Sequence, residues 1–172
     1  MDRTGHPALL MVDAVSSLCA MELLHDDWGV DVTISGSQKG LMLPPGLSFA
    51  AVSRKALEAH ERADMPRYYW DWSAMLTSNE RGYFPYTPAT TLLYGLEEAL
   101  SMLREEGLEN TQKRHARLAK ATRAAVAAWD LENFCLEKSG FSSAQTTVQM
   151  PDGTDGDVLR KIILERFDMS LG

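Results

Sequence analysis

Lys39 and Asp13 are the residues whose types and surroundings could do chemistry. Lys39 lies in Ile34-Ser35-Gly36-Ser37-Gln38-Lys39-Gly40, just past an apolar, β-type run, with Pro44-Pro45-Gly46 following. Asp13 ends another apolar run, Ala8-Leu9-Leu10-Met11-Val12. An amine can condense with an aldehyde, and a carboxylate can pair with a protonated pyridine nitrogen. Together these are what pyridoxal phosphate chemistry asks of a protein. In open parallel sheets, ligands bind beyond the carboxyl ends of the strands, which is where both residues fall. The plain alternative is a solvated lysine after a glycine and an aspartate that caps a strand end. Residue types and spacing leave both readings open.

The elements that would position these residues can be read along the chain. Residues 8–12 are short and continuously apolar, the pattern of a strand buried on both faces in a parallel sheet. Residues 30–34 form a second, β-branched strand, and residues 47–52 a third. Gly36 and Gly40 bracket the turn that carries Lys39. Ser53 reads as the N-cap of a helix to about Ala63. Residues 64–88 are rich in aromatics and prolines and read as one long irregular segment, whose rings fill a core or a subunit interface. Thr87-Pro88 reads as an N-cap and first helical residue.

A helix over about 88–106 carries Leu92, Leu93, Leu96, Leu100 and Leu103 at helical spacing, and Gly107 ends it. The next helix spans about 109–129. It sets Leu118, Thr122, Val126 and Trp129 against a basic, solvated face. A strand over 145–150 follows, then a helix capped by Asp155 or Asp157 with Val158, Ile162, Ile163 and Phe167 on one face. The order predicts an α/β chain with a first unit over 1–107 and a second αβ unit over 108–172.

Composition narrows the function classes. A hydrophobic content of 45% with 24% charged residues is that of a folded globular chain. The net charge of −7 argues against a general nucleic-acid or anionic-membrane binder. Arg3 with the run before Asp13 faintly resembles a leader peptide, but Asp13 interrupts that run early. No run approaches the ~18 apolar residues of a membrane span. A cytoplasmic protein is expected. Cys19 and Cys135 are expected to pack as small apolar residues, and the four histidines lack metal-ligand spacing, so no metal site is expected.

Longer stretches carry a resemblance. Gly36-Ser37-Gln38-Lys39-Gly40-Leu41-Met42-Leu43-Pro44-Pro45-Gly46 resembles the cofactor-lysine segment of class V aminotransferases. Leu10-Met11-Val12-Asp13-Ala14-Val15-Ser16-Ser17 resembles that family's pyridine-nitrogen aspartate segment. Tyr83-Phe84-Pro85-Tyr86-Thr87-Pro88, Leu93-Tyr94-Gly95-Leu96 and Phe167-Asp168-Met169-Ser170-Leu171-Gly172 continue the likeness, so it covers essentially the whole chain. Tyr69-Trp70-Asp71-Trp72 and Pro85-Tyr86-Thr87-Pro88 favour the serine–glyoxylate branch over the alanine–glyoxylate branch.

The resemblance implies a fold-type I transferase using pyridoxal 5'-phosphate, with small amino acids and 2-oxo acids as substrates. Lys39 would be the Schiff-base lysine and proton shuttle, and Asp13 would hold the ring nitrogen protonated. Val15 would pack on the ring, and Gln38 would reach the phosphate. Thr87 would reach the phosphate of a neighbouring subunit, because family members are homodimers with shared sites. Serine would give hydroxypyruvate while glyoxylate becomes glycine. Family members are much longer, so the chain reads as a central fragment: the C-terminal part of the large domain and the beginning of the small one. As such it would be weakly active or inactive, or a remnant without turnover. Cysteine desulfurases resemble the same fold, but they usually carry histidine where Gln38 stands and need a mobile-loop cysteine, a context neither Cys19 nor Cys135 has.

Overall fold

The computed structural model describes residues 4–172, so the reading of Arg3 lies outside the described residues. The chain divides into two compact units, Met1–Gln112 and Lys113–Gly172.

The first unit is built on a three-stranded sheet in the order β1 (Met11–Asp13), β2 (Val32–Gly36), β3 (Ser48–Val52). β1 pairs with β2 in parallel, with Asp13 opposite Ile34. β2 pairs with β3 antiparallel, from Val32–Val52 to Gly36–Ser48. The sheet is therefore mixed. The carboxyl ends of β1 and β2 share one edge, and the chain turns there through residues 37–47 before re-entering as β3.

The apolar run before Asp13 predicts a strand buried on both faces, and the structure differs. β1 is an edge strand with Met11 60% exposed. β2, at the centre, is the strand whose side chains are mostly buried. The apolar cover goes instead to a cluster of Leu41, Leu43, Ala99 and Leu103, with Leu18, Cys19, Leu47, Phe49 and Leu96 against it. Two of its four central residues come from the turn after Lys39, and two from the long helix α3 (Thr90–Glu106). Three helices precede or include it in chain order: α1 (Arg54–Glu61), α2 (Trp72–Asn79) and α3.

Ser53 caps α1 as expected, its side chain accepting from the Ala56 N–H. α2 replaces part of the segment read as irregular. Asp71 caps it by accepting from the Ser73 N–H at 2.8 Å, a cap that the surrounding aromatics and prolines obscure in the sequence. Those aromatics do not fill a core. Tyr68, Trp70 and Tyr83 are 79%, 81% and 71% exposed, and Tyr69 stacks on Tyr86 at 5.0 Å. Thr87 is not the cap of α3. The helix starts at Thr90 after Ala89, whose carbonyl accepts the first helical bond from the Leu93 N–H at 3.1 Å with no side-chain cap. Gly107 ends α3 at φ 82°, a left-handed conformation that glycine adopts without a Cβ penalty.

Helix α4 (Leu108–Ala128) runs into the second unit, whose other elements are β4 (Glu132–Asn133), β5 (Val148–Gln149) and α5 (Gly156–Phe167). β4 and β5 form an antiparallel pair, so the strand expected over 145–150 shrinks to two residues and gains an unexpected partner. Within α4, Ala119 and Val126 are buried and Leu118 is 54% exposed; Trp129, just past its end, is 68% exposed. Val126 is thus buried as expected, and Ala119, not its larger neighbour Leu118, joins it. Asp155 caps α5 through the N–H groups of Asp157 and Val158. Cys135 is exposed rather than packed, with its thiol donating to the Glu137 carbonyl at 3.4 Å.

Candidate active site at the carboxyl edge of the sheet

Asp13 is the last residue of β1 and is exposed. Its Oδ1 accepts from the Val15 N–H at 2.8 Å, opening a turn that continues with Leu18 N–H to Ala14 carbonyl at 3.0 Å. One carboxylate oxygen thus does the work of a strand-end cap and fixes the side chain's direction. The other makes no hydrogen bond among the described residues. Val15 is half-buried beside it. The sheet ladder extends one step past β1, with the Ala14 N–H on the Ile34 carbonyl at 2.8 Å and the Ser35 hydroxyl on the Ala14 carbonyl at 3.2 Å.

Gln38 and Lys39 follow β2 on the same edge, both exposed. The Gln38 side chain lies back over Gly36, where a Cβ would meet its Oε1 at 2.9 Å. The Lys39 carbonyl accepts from the Met42 N–H at 2.9 Å, closing a tight turn around the lysine. Gly40 then presses directly on the backbone of the turn after Asp13. A Cβ there would collide with the Leu18 carbonyl oxygen and stand 3.2 Å from the Cys19 Cβ. Glycine at 40 is what lets the two turns touch. The sequence offers Gly40 as a turn bracket; that it is a contact point with the Asp13 turn is visible only in three dimensions.

Asp13, Val15, Gln38 and Lys39 are therefore placed along one edge. Thr87 lies elsewhere in the chain, exposed, just before α3, and its side chain makes no hydrogen bond among the described residues. The edge offers an accessible amine, an oriented carboxylate with a spare oxygen, and an amide. That donor set fits an aldehyde-bearing pyridine cofactor. Cys19 lies against the turn at φ 66°, and burial pushes its thiol pKa up, so it is a poor nucleophile. Among the described residues no cluster of His, Cys, Asp and Glu could hold a metal ion.

A second polar cluster invites comparison with a hydrolytic triad and does not match one. His60 Nε2 lies 3.0 Å from Ser73 Oγ and 3.3 Å from Asp71 Oδ1. Both partners meet the same ring nitrogen, whereas a relay needs the carboxylate on the opposite one. This cluster ties the end of α1 to the start of α2.

The profile of the class V aminotransferase family matches residues 3–163. This chain belongs to that family. The family implies pyridoxal phosphate as cofactor and the fold-type I architecture. The serine–glyoxylate aminotransferase of Methylorubrum extorquens is 49% identical, over all of this chain and 44% of its own length. That of Arabidopsis thaliana is 47% identical, over all of this chain and 43% of its own. An L-aspartate–glyoxylate aminotransferase of Paracoccus denitrificans is 42% identical. Among solved structures, an alanine–glyoxylate aminotransferase from Nostoc superposes with a TM-score of 0.86 at 33% identity, over 96% of this chain and 44% of its own. The chain thus spans less than half the length of the relatives it matches. No described helix is long and apolar enough to cross a membrane.

Proposed function

We propose that this chain is the cofactor-lysine segment of a serine–glyoxylate aminotransferase, a cytoplasmic homodimer in its full-length form. The observation that carries the reading is the shared edge: Asp13 and Lys39 leave adjacent parallel strands, and Gly40 holds their turns in contact. The names of the relatives support the substrate pair, serine and glyoxylate. Residues 1–107 would be the C-terminal part of the large domain and 108–172 the beginning of the small one.

Pyridoxal phosphate, when bound, supplies a protonated ring that draws electrons from the substrate carbon. Lys39 would hold the cofactor through its amine, and when freed would move a proton at the substrate α-carbon. Asp13 would keep a proton on the ring nitrogen through its spare oxygen. Val15 would bear on the ring, Gln38 would reach the phosphate, and Thr87 would serve the phosphate of the partner subunit's site. Hydroxypyruvate and glycine would be the products.

The relative named for aspartate favours a second reading, in which the donor is another small amino acid such as alanine or aspartate. The donor is tested in the full-length protein by comparing serine, alanine and aspartate against glyoxylate. The cofactor assignment is tested on the chain itself by titration with pyridoxal phosphate, borohydride trapping and peptide mapping. We expect weak, saturable binding with the label on Lys39, and none in Lys39→Ala. Labelling spread evenly over the lysines would sink the assignment.

A further inference from the structure

The side chain of Lys39 is long and exposed, and its amine makes no hydrogen bond or ion pair among the described residues. Whatever precision it has comes from its backbone. That backbone is anchored two residues earlier by Ser37, which is fully buried at 0% exposure. Ser37 makes four hydrogen bonds across the mouth of the loop. Its N–H donates to the Leu47 carbonyl at 3.1 Å, and its carbonyl accepts from the Leu43 N–H at 3.1 Å. Its hydroxyl donates to the Pro44 carbonyl at 2.8 Å and accepts from the Leu47 N–H at 3.2 Å.

The hydroxyl supplies what this loop's backbone lacks. Pro44 and Pro45 are consecutive and neither has an N–H, so the stretch opposite Ser37 is short of donors. A serine hydroxyl can give one hydrogen bond and accept another, and both capacities are used. Lys39 then stands between two fixed points, the Ser37 knot and the Gly40–Leu18 contact, while Leu41 and Leu43 anchor the rest of the loop in the core.

We propose that Ser37 is a positioning residue for Lys39, holding the turn that aims the amine at the Asp13 edge. The inference rests on the reading of Lys39 as the cofactor lysine. A reacting group that is misplaced by about 1 Å can lose ~100-fold in rate. Loosening this knot therefore acts on Lys39 without removing any group that touches the cofactor.

The test compares Ser37→Ala with Thr33→Val in the 172-residue chain. Thr33 is also buried, and its hydroxyl bonds to His25 Nδ1 at 2.7 Å, but it sits within the strand, away from the turn. It supplies the cost of losing a buried hydroxyl without the knot. Two readouts are taken. Amide hydrogen exchange at Met42 and Leu43 reports bonds that Ser37→Ala does not itself delete. Borohydride-trapped pyridoxal phosphate reports the share of label on Lys39 against Lys55, Lys113, Lys120, Lys138 and Lys161.

We expect Ser37→Ala to lose protection at both amides and to cut the Lys39 share about tenfold. Thr33→Val should change neither, even where it lowers the melting temperature equally. Should Ser37→Ala not fold, Ser37→Cys keeps the side-chain shape at a slightly larger volume with a much weaker donor and is read the same way. Unchanged exchange, or an unchanged Lys39 share alongside clear Lys39 preference in the unsubstituted chain, overturns the positioning role alone. No Lys39 preference in the unsubstituted chain overturns the cofactor reading beneath it.

Discussion

The two ends of the sheet each hold an aspartate, and the two are used in opposite ways. Asp13 leaves β1 at the carboxyl edge, exposed, with one oxygen on the Val15 N–H. Asp31 precedes β2 at the other edge and is buried. Its Oδ2 accepts from the Leu10 N–H at 2.8 Å and faces Lys55 Nζ at 3.4 Å, while its Oδ1 accepts from the Ser53 hydroxyl at 3.0 Å. Lys55 also donates to the Ala8 carbonyl at 3.1 Å. One carboxylate thus ties β1, β2 and the start of α1 together with every partner supplied by the protein. The other keeps an oxygen for something else. Saturation of a buried carboxylate marks a staple, whereas the exposed Asp13 oxygen stays open to the ligand role proposed for it.

The largest effect that could break this comparison is on stability. Asp31→Ala strands the Leu10 N–H and the Ser53 hydroxyl proton and removes one of the partners of the Lys55 ammonium, and should cost about 2–3 kcal/mol in chemical denaturation. Next comes Gly40→Ala, which forces a methyl group into the Leu18 carbonyl and should cost about 2 kcal/mol while prising the two turns apart. A cost near zero would mean the turns are not in fixed contact.

Acid offers a finer probe. Burial raises the Asp31 pKa, but the Leu10 N–H, the Ser53 hydroxyl and Lys55 outweigh it and hold the carboxyl below its usual value. A carboxylate held low contributes stability that is complete above its unfolded pKa, near 3.9, and is lost as pH falls through the lower folded value. The chain should therefore weaken from about pH 4 downward, and Asp31→Asn should flatten that slope. Equal slopes in both proteins would remove Asp31 from the acid response. The smallest stability effect belongs to Asp13→Ala, about 0.5–1 kcal/mol for one exposed backbone bond, paired with loss of pyridoxal phosphate trapping at Lys39. A large stability loss there would make Asp13 a second staple and erase the contrast.

The open end of the sheet was legible in the sequence because Asp13 ends one recognisable run and Lys39 follows another within a glycine-bracketed turn. Asp31 was not. It interrupts Val30-Asp31-Val32 and reads as one alternation of a strand, since its partners Leu10, Ser53 and Lys55 are distant in sequence. Ser37 was hidden for the same reason, its value lying in Pro44 and Leu47 across the loop. Periodicity located α3, α4 and α5 but overstated what they cover. Val158 and Phe167, on the face expected to be apolar and covered, are 55% and 69% exposed. The start of α3 was misplaced because Ala89 begins it through its backbone carbonyl alone, with no side-chain cap to read in the sequence.

The exposed position of β1 has a colloidal consequence. An edge strand presents unpaired peptide groups, and β1 presents them beside an exposed Met11, guarded only by its shortness and by Asp13 at its end. Such an edge is a template for strand addition by another molecule. Opposing it is the mutual repulsion of chains that each carry −7. Salt shortens the range of that repulsion and leaves the edge untouched. Concentrated solutions of the chain should therefore cloud on raising ionic strength, and a lysine at Met11 should delay it.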